Sequence, residues 1–205
     1  LGDKAALPKN AFSRTKTLRH PHILKFVDGS EDEKEVMVVT EAVTPLVDWL
    51  DSLDDSWTSE QRSSACIWGL RCVMDAVEFL HTQGLVHGLL CPEAIFVTSA
   101  GEFKLWALDL VSNPEQGATT FRAHESLLGS LSGSAQFRSP ERLAGEWDKV
   151  SRHFQAVDVW SLGETIPGLF GQGFEVPPDV AKAQKRMVVS NPMARPKVAR
   201  LVASD

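Results

Sequence analysis

Two short runs in this 205-residue chain have spacings that could bind phosphate or attack a carbonyl group. Gly171-Gln172-Gly173 is a GxG run, but Val176 stands where a dinucleotide-binding loop has its third glycine, and a helical segment precedes the run instead of a strand. The run 129–133, GSLSG, has Leu131 at the position of the serine in a GxSxG elbow. We therefore interpret both runs as ordinary loops.

Histidine and cysteine spacings do not indicate a metal site. His20 and His22 flank a proline with no carboxylate cluster beside them, so we assign both a packing or surface role. The three cysteines, Cys66, Cys72 and Cys91, form no Cys-x-x-Cys pair, and their odd number argues against a disulfide framework. The sequence therefore predicts no bound metal and a reducing environment.

The first elements that must position any site are a helix and a hairpin. Residues 9–19 look like the end of a helix, which the proline of His20-Pro21-His22 terminates. A strand is predicted over 23–27 and another over 35–40. A turn at 28–30 would join them as a hairpin.

The rest of the chain has mainly helical periodicity. Helices are predicted over 45–53, from Ser59 to His81, over 156–170, and from Pro177-Pro178, where the last helical segment begins. Short strands are predicted at 85–86, 94–98 and 103–106, and a turn at 191–196. Strands first and helices after predict an α+β fold class.

Charge and hydropathy argue against two classes of partner. The chain has 21 Lys and Arg against 27 Asp and Glu, a net charge of −6, which gives no general attraction to nucleic acid. No apolar run approaches the roughly 20 residues that cross a bilayer. The N-terminal LGDKAALPKN has neither the basic nor the apolar region of a signal peptide, so we expect a cytoplasmic protein without a membrane span.

Seven segments, taken in order, resemble the protein kinase fold. They are LRHPHIL (18–24), VVTEAV (38–43), LVHGLLCPEAIFV (85–97), GEFKLWALD (101–109), SPERL (139–143), DVWSLG (158–163) and NPMARP (191–196). The resemblance implies one kinase-like domain over 1–205, with a truncated N-lobe and hinge in 1–43 and a mainly helical C-lobe in 44–205. The truncated N-lobe would hold the end of helix C and two strands. The kinase Gly-rich loop and the lysine of the third kinase strand would lie before residue 1.

The same resemblance identifies the catalytic positions and implies that they are degenerate. Kinases use an Asp that accepts the substrate proton, an Asn that holds magnesium, and the metal-binding Asp of a DFG segment. Leu89, Ala94 and Ala107 stand at these three positions. Cys91 replaces the usual catalytic-loop lysine, and Ala11 the glutamate of helix C. The resemblance therefore implies no catalytic residue, no metal site, and a pseudokinase instead of an enzyme.

Two alternatives keep nucleotide chemistry open. Asp109 lies two residues past the metal-binding position, and a rearranged site using it would make the chain a divergent ATP-binding protein kinase with weak phosphotransferase activity. The hinge residues Glu41, Ala42 and Val43 would contact ATP if a nucleotide binds, as in a bare nucleotide sensor. We expect no cofactor, because the groups that position ATP and magnesium are missing.

Several phrases are more specifically similar to the SCY1-like, or N-terminal kinase-like, pseudokinases. These are KTLRHPHIL (16–24), VVTEAVTPL (38–46), GEFKL (101–105), the Leu108-Asp109 ending in place of DFG, and NPMARP (191–196). In that family a kinase-like domain precedes HEAT-type helical repeats and acts as a scaffold in Golgi and endosomal vesicle traffic. The resemblance implies protein partners, coatomer or clathrin adaptors among them, and a cytoplasmic location at the Golgi or endosomes.

Two anchoring contacts are also implied by the kinase resemblance. Glu141 and Arg195 are expected to form a buried ion pair, whose disruption would leave an unpaired buried charge. Asp158, opening helix F, is expected to accept backbone N–H groups near His87 and Gly88. Both contacts would preserve the kinase architecture without catalysis.

A hydrophobic column is a further feature that the resemblance implies. His87, Leu108 and Phe26 are expected to stack and to join the two lobes. We therefore assign His87 a packing role and not that of a catalytic base.

The loop from Leu110 to Arg138 is rich in serine, threonine and glycine. Its hydroxyl residues include Ser112, Thr119, Thr120, Ser126, Ser130, Ser132 and Ser134. Gly88 stands where kinases have the arginine that orders a phosphorylated loop. We interpret the loop as a soluble surface segment and predict that it is among the least ordered parts of the chain. Arg122 and Arg138 keep phosphate recognition open as an alternative.

Overall fold

A computed structural model describes residues 6–32, 34–53, 56–114, 134–171 and 175–202 of the chain. Within these ranges the helices are α1 Ala6–Thr17, α2 Leu46–Asp51, α3 Ser59–Thr82, α4 Pro140–Leu143, α5 Trp147–Arg152, α6 Phe154–Phe170, α7 Pro178–Met187 and α8 Val198–Val202. The strands are β1 Phe26–Glu31, β2 Val36–Thr40, β3 Thr44–Pro45, β4 Ile95–Val97 and β5 Phe103–Leu105. Across these ranges no helix combines the length and the apolar character that a membrane span requires.

The strands form two small antiparallel sheets beside the helices, which confirms the α+β class. One sheet is the β1–β2 hairpin, and the other has the order β3-β4-β5. Helix α1 packs on the hairpin, where the ring of Phe12 meets that of Phe26 edge-on at 6.0 Å. Helix α1 and the hairpin therefore form a small lobe, and most of the remaining chain forms a larger helical lobe.

Helix α3 is the longest element of the larger lobe. It begins with a capping box, in which the side chain of Thr58 accepts the N–H of Gln61 and the side chain of Gln61 accepts the N–H of Thr58. Its buried face contributes apolar residues at helical spacing, among them Cys72, Val73, Ala76, Val77 and Leu80. This face packs against α6, so the end of α3 and the start of α6 come together around the segment that follows α3.

The predicted hairpin is present, but its turn lies farther along the chain than the sequence suggested. Strand β1 runs through the predicted turn at 28–30 and starts later than the predicted strand did. Asp32 makes the turn, because its carboxylate accepts the backbone N–H groups of Lys34 and Glu35 at 2.6 and 2.8 Å. Gly29 pairs with Val38 inside the hairpin. Glycine is required there because a Cβ would clash with the backbone of the facing strand.

Three other boundaries differ from the sequence prediction. Helix α6 begins at Phe154, which packs in a second apolar cluster, so Asp158 lies in the second turn and does not open the helix. Helix α7 begins at Pro178, but α8 follows it and is the last helical segment. The predicted strand at 85–86 makes only one isolated bridge, to Ser112.

Candidate functional site

The run at 85–97, which corresponds to the kinase catalytic loop, is held by one buried carboxylate. Asp158 accepts the backbone N–H of His87 at 2.7 Å and that of Gly88 at 2.8 Å. Burial alone would raise the pKa of Asp158, but the hydrogen bond and charge of His81 and the hydrogen bond from the Gly88 N–H hold it below its usual range. The expected contact is therefore present, and it is made by an ionised carboxylate.

His81 is a partner of Asp158 that sequence reasoning missed. Its Nε2 lies 3.0 Å from Oδ2 of Asp158 and extends from the last turn of α3. Since a carboxylate can only accept, Nε2 carries the proton. The signal in the sequence is a histidine in the last turn of a helix, directly before the loop that Asp158 anchors.

His87 is fully buried and uses both of its ring nitrogens for local contacts. Its Nδ1 accepts the backbone N–H of Leu89 at 3.2 Å, and its Nε2 donates to the carbonyl of Trp106 at 2.8 Å. Burial lowers the pKa of His87, so the neutral ring with its proton on Nε2 satisfies both contacts. The ring is therefore positioned to brace the loop, and neither nitrogen points at a substrate.

The other two column residues lie on opposite lobes. Leu108 is fully buried in the main apolar cluster. Phe26 is half-buried at the start of β1 and packs against Phe12. The stack of His87, Leu108 and Phe26 as one column stays a prediction.

The positions that would supply catalytic oxygens carry only hydrocarbon side chains. Leu89 and Ala107 are half-buried, and Ala94 is fully buried. Cys91 lies between them, and its pKa is raised to about 12, first by burial and then by its hydrogen bond to Glu93 and the charge of Glu93, so it remains a thiol. None of these side chains can accept a hydroxyl proton or ligate a hard cation.

The backbone of this region keeps an unusual conformation although the catalytic side chains are gone. Ala107 has φ 59° and ψ 53°, and among the described residues it alone has a positive φ without being glycine. That conformation costs an L-residue about 1 kcal/mol or more. Gly88, at the position of the kinase arginine, has φ 76° without that cost.

Asp109, the alternative metal ligand, lies in a 3-10 turn that is tied to α1. The side-chain amide of Asn10 donates to the carbonyl of Asp109 at 2.7 Å and to that of Val111 at 3.1 Å. Burial raises the pKa of the Asp109 carboxyl above its ordinary value. Over the ranges that the structure covers, no three His, Cys, Asp or Glu side chains are grouped as metal ligands. At the two positions where kinases hold magnesium, Ala94 and Ala107 offer no ligand oxygen.

The hinge lies beside a buried lysine that connects the two lobes. Glu41 accepts the backbone N–H of Lys25 at 2.9 Å, and its carboxylate lies 3.9 Å from Nζ of Lys104. Lys104 also donates to the carbonyl of Pro21 at 2.6 Å. Of the next two hinge residues, Ala42 is exposed and Val43 is half-buried. The Glu41 carboxylate is thus used in contacts with Lys25 and Lys104, which lie on the two sides of the hinge.

The expected ion pair between Glu141 and Arg195 is present and bidentate. The two guanidinium nitrogens lie 2.6 and 2.8 Å from the two carboxylate oxygens, and both residues are buried. Arg195 also donates to the carbonyls of Val189 and Ala156 at 2.9 Å each. Burial would raise the pKa of Glu141, but the hydrogen bonds and charge of Arg195 act together with the backbone N–H of Glu141 to lower it.

Arg142 is a second contact to the loop that sequence reasoning missed. It is buried, and its Nη1 donates to the carbonyl of Gly88 at 2.8 Å. The loop therefore lacks its own arginine but receives one from α4. A charged residue directly after Glu141 is the only trace of this contact in the sequence.

The serine- and threonine-rich loop from Leu110 to Arg138 falls mainly outside the described residues, which exclude 115–133. Thr119, Thr120 and Arg122 belong to that part, so the predicted disorder of the loop is untested. Ser112 is described and buried, so its hydroxyl is not a surface group. Arg138 is half-buried.

Comparison with known proteins decides the family. A protein kinase domain model matches residues 10–197, which is most of the chain. The chain belongs to the protein kinase family. The order of motifs, the Asp158 anchor and the Glu141–Arg195 pair are thus kinase features in a kinase-family domain.

Relatives of this kinase-family chain include one named as a probable inactive kinase and others named simply as kinases. It is 30% identical over 163 residues to the probable inactive serine/threonine-protein kinase scy1 of Dictyostelium discoideum, covering 78% of the chain and 18% of that protein. It is equally 30% identical over 163 residues to the serine/threonine-protein kinase STK11 of Homo sapiens, covering 77% and 35%. It is 28% identical over 205 residues to the Mus musculus protein-associating with the carboxyl-terminal domain of ezrin, covering 95% and 26%.

These similarities confirm the SCY1-like resemblance at modest identity. The kinase-family chain spans between 18% and 35% of the length of these three relatives. Family membership alone does not decide whether it is an enzyme, because named kinases and a named inactive kinase are similarly related to it. That question rests on the residues of the cleft.

Proposed function

We propose that this chain is a catalytically inactive protein-kinase-like domain that works as a scaffold. The observation that carries the proposal is a contrast between the catalytic positions, which have lost their functional groups, and the contacts that hold the catalytic loop, which are kept. Leu89, Ala94 and Ala107 offer no oxygen to a proton or a metal, whereas Asp158 and Arg142 still hold the same loop by hydrogen bonds. Selection for a fold without selection for phosphoryl transfer gives this pattern.

The size of the loss supports the proposal. Phosphoryl transfer depends on positioning and on electrostatic stabilisation of a highly charged transition state. Losing one such group typically costs about 10²-fold or more in rate. Three side-chain functions are replaced here, and although their effects are not additive, the remaining rate is too low for a useful enzyme.

The proposed setting is intracellular vesicle traffic. The SCY1-like resemblance supports protein partners such as coatomer or clathrin adaptors, at the cytoplasmic face of the Golgi or endosomes. A relative named for associating with the carboxyl-terminal domain of ezrin is a further instance of a binding role among similar chains. We propose no nucleotide cofactor and no metal for this domain.

A second candidate, a divergent ATP-binding kinase with weak phosphotransferase activity, is favoured by one residue. Asp109 places a carboxylate two residues beyond the usual metal position, and several relatives are named as kinases. Its burial raises its pKa and so disfavours the ionised carboxylate that magnesium requires, which weighs against metal binding.

Nucleotide binding separates the two candidates. A ligand that binds only the folded protein raises its melting temperature. We expect saturating ATP with magnesium to leave the melting temperature of the chain unchanged. A metal-dependent rise that is lost in Asp109→Asn would contradict the scaffold proposal and support the weak kinase.

The trafficking setting needs its own experiment. Purified coatomer and purified clathrin adaptor complex are passed over the immobilised chain, and we expect saturable binding of at least one of them. An Arg195→Met variant, which leaves the Glu141 carboxylate buried without its partner and destabilises the C-lobe, is the negative control. If neither complex binds, the vesicle-traffic assignment is wrong. The non-catalytic assignment would be unaffected, because the nucleotide experiment tests it separately.

A further inference from the structure

A groove on the helical lobe, lined by residues other than those of the degenerate cleft, has the features of a peptide-binding surface. It has a volume of about 760 Å³ and lies between α3, α7 and the end of α8. Ile67 and Trp68 of α3, Val180 of α7 and Leu201 of α8 are among its lining residues.

The groove exposes large apolar side chains on the surface of the lobe. Ile67 and Trp68 are 43% and 51% exposed, whereas Met74 and Ile166, which also line the groove, are buried. The ring of Trp68 is held edge-on by the ring of His22 at 6.1 Å. An exposed tryptophan fixed in a concavity is a typical anchor of a protein interface, because little side-chain freedom is lost on binding.

Lys182 and Arg186 stand four residues apart on one face of α7, and Arg71 stands on α3. Asp179 of α7 is the one acidic residue of the lining, so basic side chains outnumber acidic ones there. Arg71 pairs with Asp75 at 3.1 Å. Within the described ranges no ion pair involves Lys182 or Arg186. With a net charge of −6 for the whole chain, cations grouped at this one groove indicate a partner that carries negative charge.

We propose that this groove binds an acidic amphipathic helix of a partner protein. The apolar face of such a helix, with anchors at i, i+3, i+4 and i+7, would cover Ile67 and Trp68. Its flanking Glu or Asp residues would meet Lys182 and Arg186. The inference rests on the proposed scaffold function and names the surface through which it acts. A second copy of this chain is a poorer occupant, because it brings the same basic side chains.

The experiment uses a fluorescein-labelled peptide of about 18 residues, five helical turns, with leucines at the four anchor positions and glutamates on the flanks. The comparison peptide has lysine in place of every glutamate. We expect saturable binding of the acidic peptide only, weakened by added salt. Lys182→Glu/Arg186→Glu and Trp68→Ala should each weaken binding by about tenfold or more.

Two matched variants control for charge and for apolar area. Lys185→Glu changes the same charge on the same helix outside the groove, and Val47→Ala truncates an exposed aliphatic residue on α2. Both should bind the acidic peptide within about twofold of the unaltered chain, as expected for surface changes away from the contact. Melting curves are recorded for all variants to check that each is folded.

Two direct readings complete the experiment. The indole ¹H–¹⁵N signal of Trp68, assigned with Trp68→Phe, should shift on adding the acidic peptide. The proposal would be overturned if both peptides bound equally or if the acidic peptide did not bind. It would also be overturned if Lys185→Glu weakened binding of the acidic peptide as much as Lys182→Glu/Arg186→Glu does. A dimer in sedimentation velocity that Trp68→Ala dissociates would overturn it in favour of a second copy. These outcomes are independent of ATP binding, which tests the scaffold proposal itself.

Discussion

At the scale of single residues, Ala107 holds a left-handed backbone conformation that glycine adopts more easily. Ala107→Gly is expected to raise the free energy of unfolding by about 0.5–1 kcal/mol, since glycine has no Cβ to clash at positive φ. Urea denaturation measures the change. The control is Ala181→Gly in α7, where glycine should lower the free energy of unfolding by about 0.5–1 kcal/mol. Equal destabilisation by both substitutions would show that the Ala107 backbone is not strained.

Another single-residue test concerns the buried ion pair. Arg195→Met leaves the Glu141 carboxylate buried without its partner and should lower the free energy of unfolding by about 3–5 kcal/mol. Glu141→Leu/Arg195→Met removes both charges and should be less destabilised than Arg195→Met alone. Arg152→Met, at an exposed position of α5, is the control and should change stability by at most about 0.5 kcal/mol. A double variant as unstable as the single one would refute the proposed cost of the unpaired carboxylate.

At the scale of elements, Asn10 ties α1 to the segment that replaces the metal-binding loop. Asn10→Ala removes hydrogen bonds to two carbonyls and should lower the free energy of unfolding by about 1–2 kcal/mol. Amide hydrogen exchange should accelerate in α1 more than in α3. Thr17→Ala, on the exposed side of the same helix, should leave both readings unchanged. Uniform acceleration across α3 would mean that Asn10 acts on global stability and not as a local tether.

Elements with strong local signals could be predicted from the sequence, and contacts between distant elements could not. Helix α3 was expected from Ser59 to His81 and is observed to Thr82, because its capping signal and periodicity are both local. The turn at Asp32 was missed because Gly29 looks like a turn residue until the facing strand is known.

The candidate site shows the same division. Its degenerate positions follow from the order of kinase-like motifs, which is a property of the sequence. The contacts of His81 with Asp158 and of Arg142 with Gly88 join residues 77 and 54 positions apart, so no local pattern indicates them.

At the scale of the whole molecule, stability should fall as the pH is lowered below about 6.5. The folded chain keeps the buried His87 neutral with a lowered pKa, so the unfolded chain binds this proton more readily. The contribution is therefore complete above the ordinary pKa of 6.5 and is lost below it, by up to about 1.4 kcal/mol over the first pH unit. The half-buried His20 has a lowered pKa as well and acts in the same direction.

Urea denaturation between pH 8 and pH 5.5 checks this dependence. His87→Gln should remove part of the loss of stability on acidification, leaving the part due to His20. Asn10→Ala, which is also destabilised but keeps His87, should retain the full dependence. An unchanged dependence in His87→Gln would assign the acid sensitivity to other groups.

Phosphoryl transfer by the whole chain tests the central claim most directly. The chain is incubated with ³²P-γ-labelled ATP and magnesium or manganese, and label is counted on the chain itself and on casein, with human STK11 as the active comparison. Because Leu89, Ala94 and Ala107 supply no catalytic oxygen, we expect incorporation equal to the blank without protein, for the unaltered chain and for Asp109→Asn alike. Incorporation above the blank that Asp109→Asn abolishes would contradict this claim.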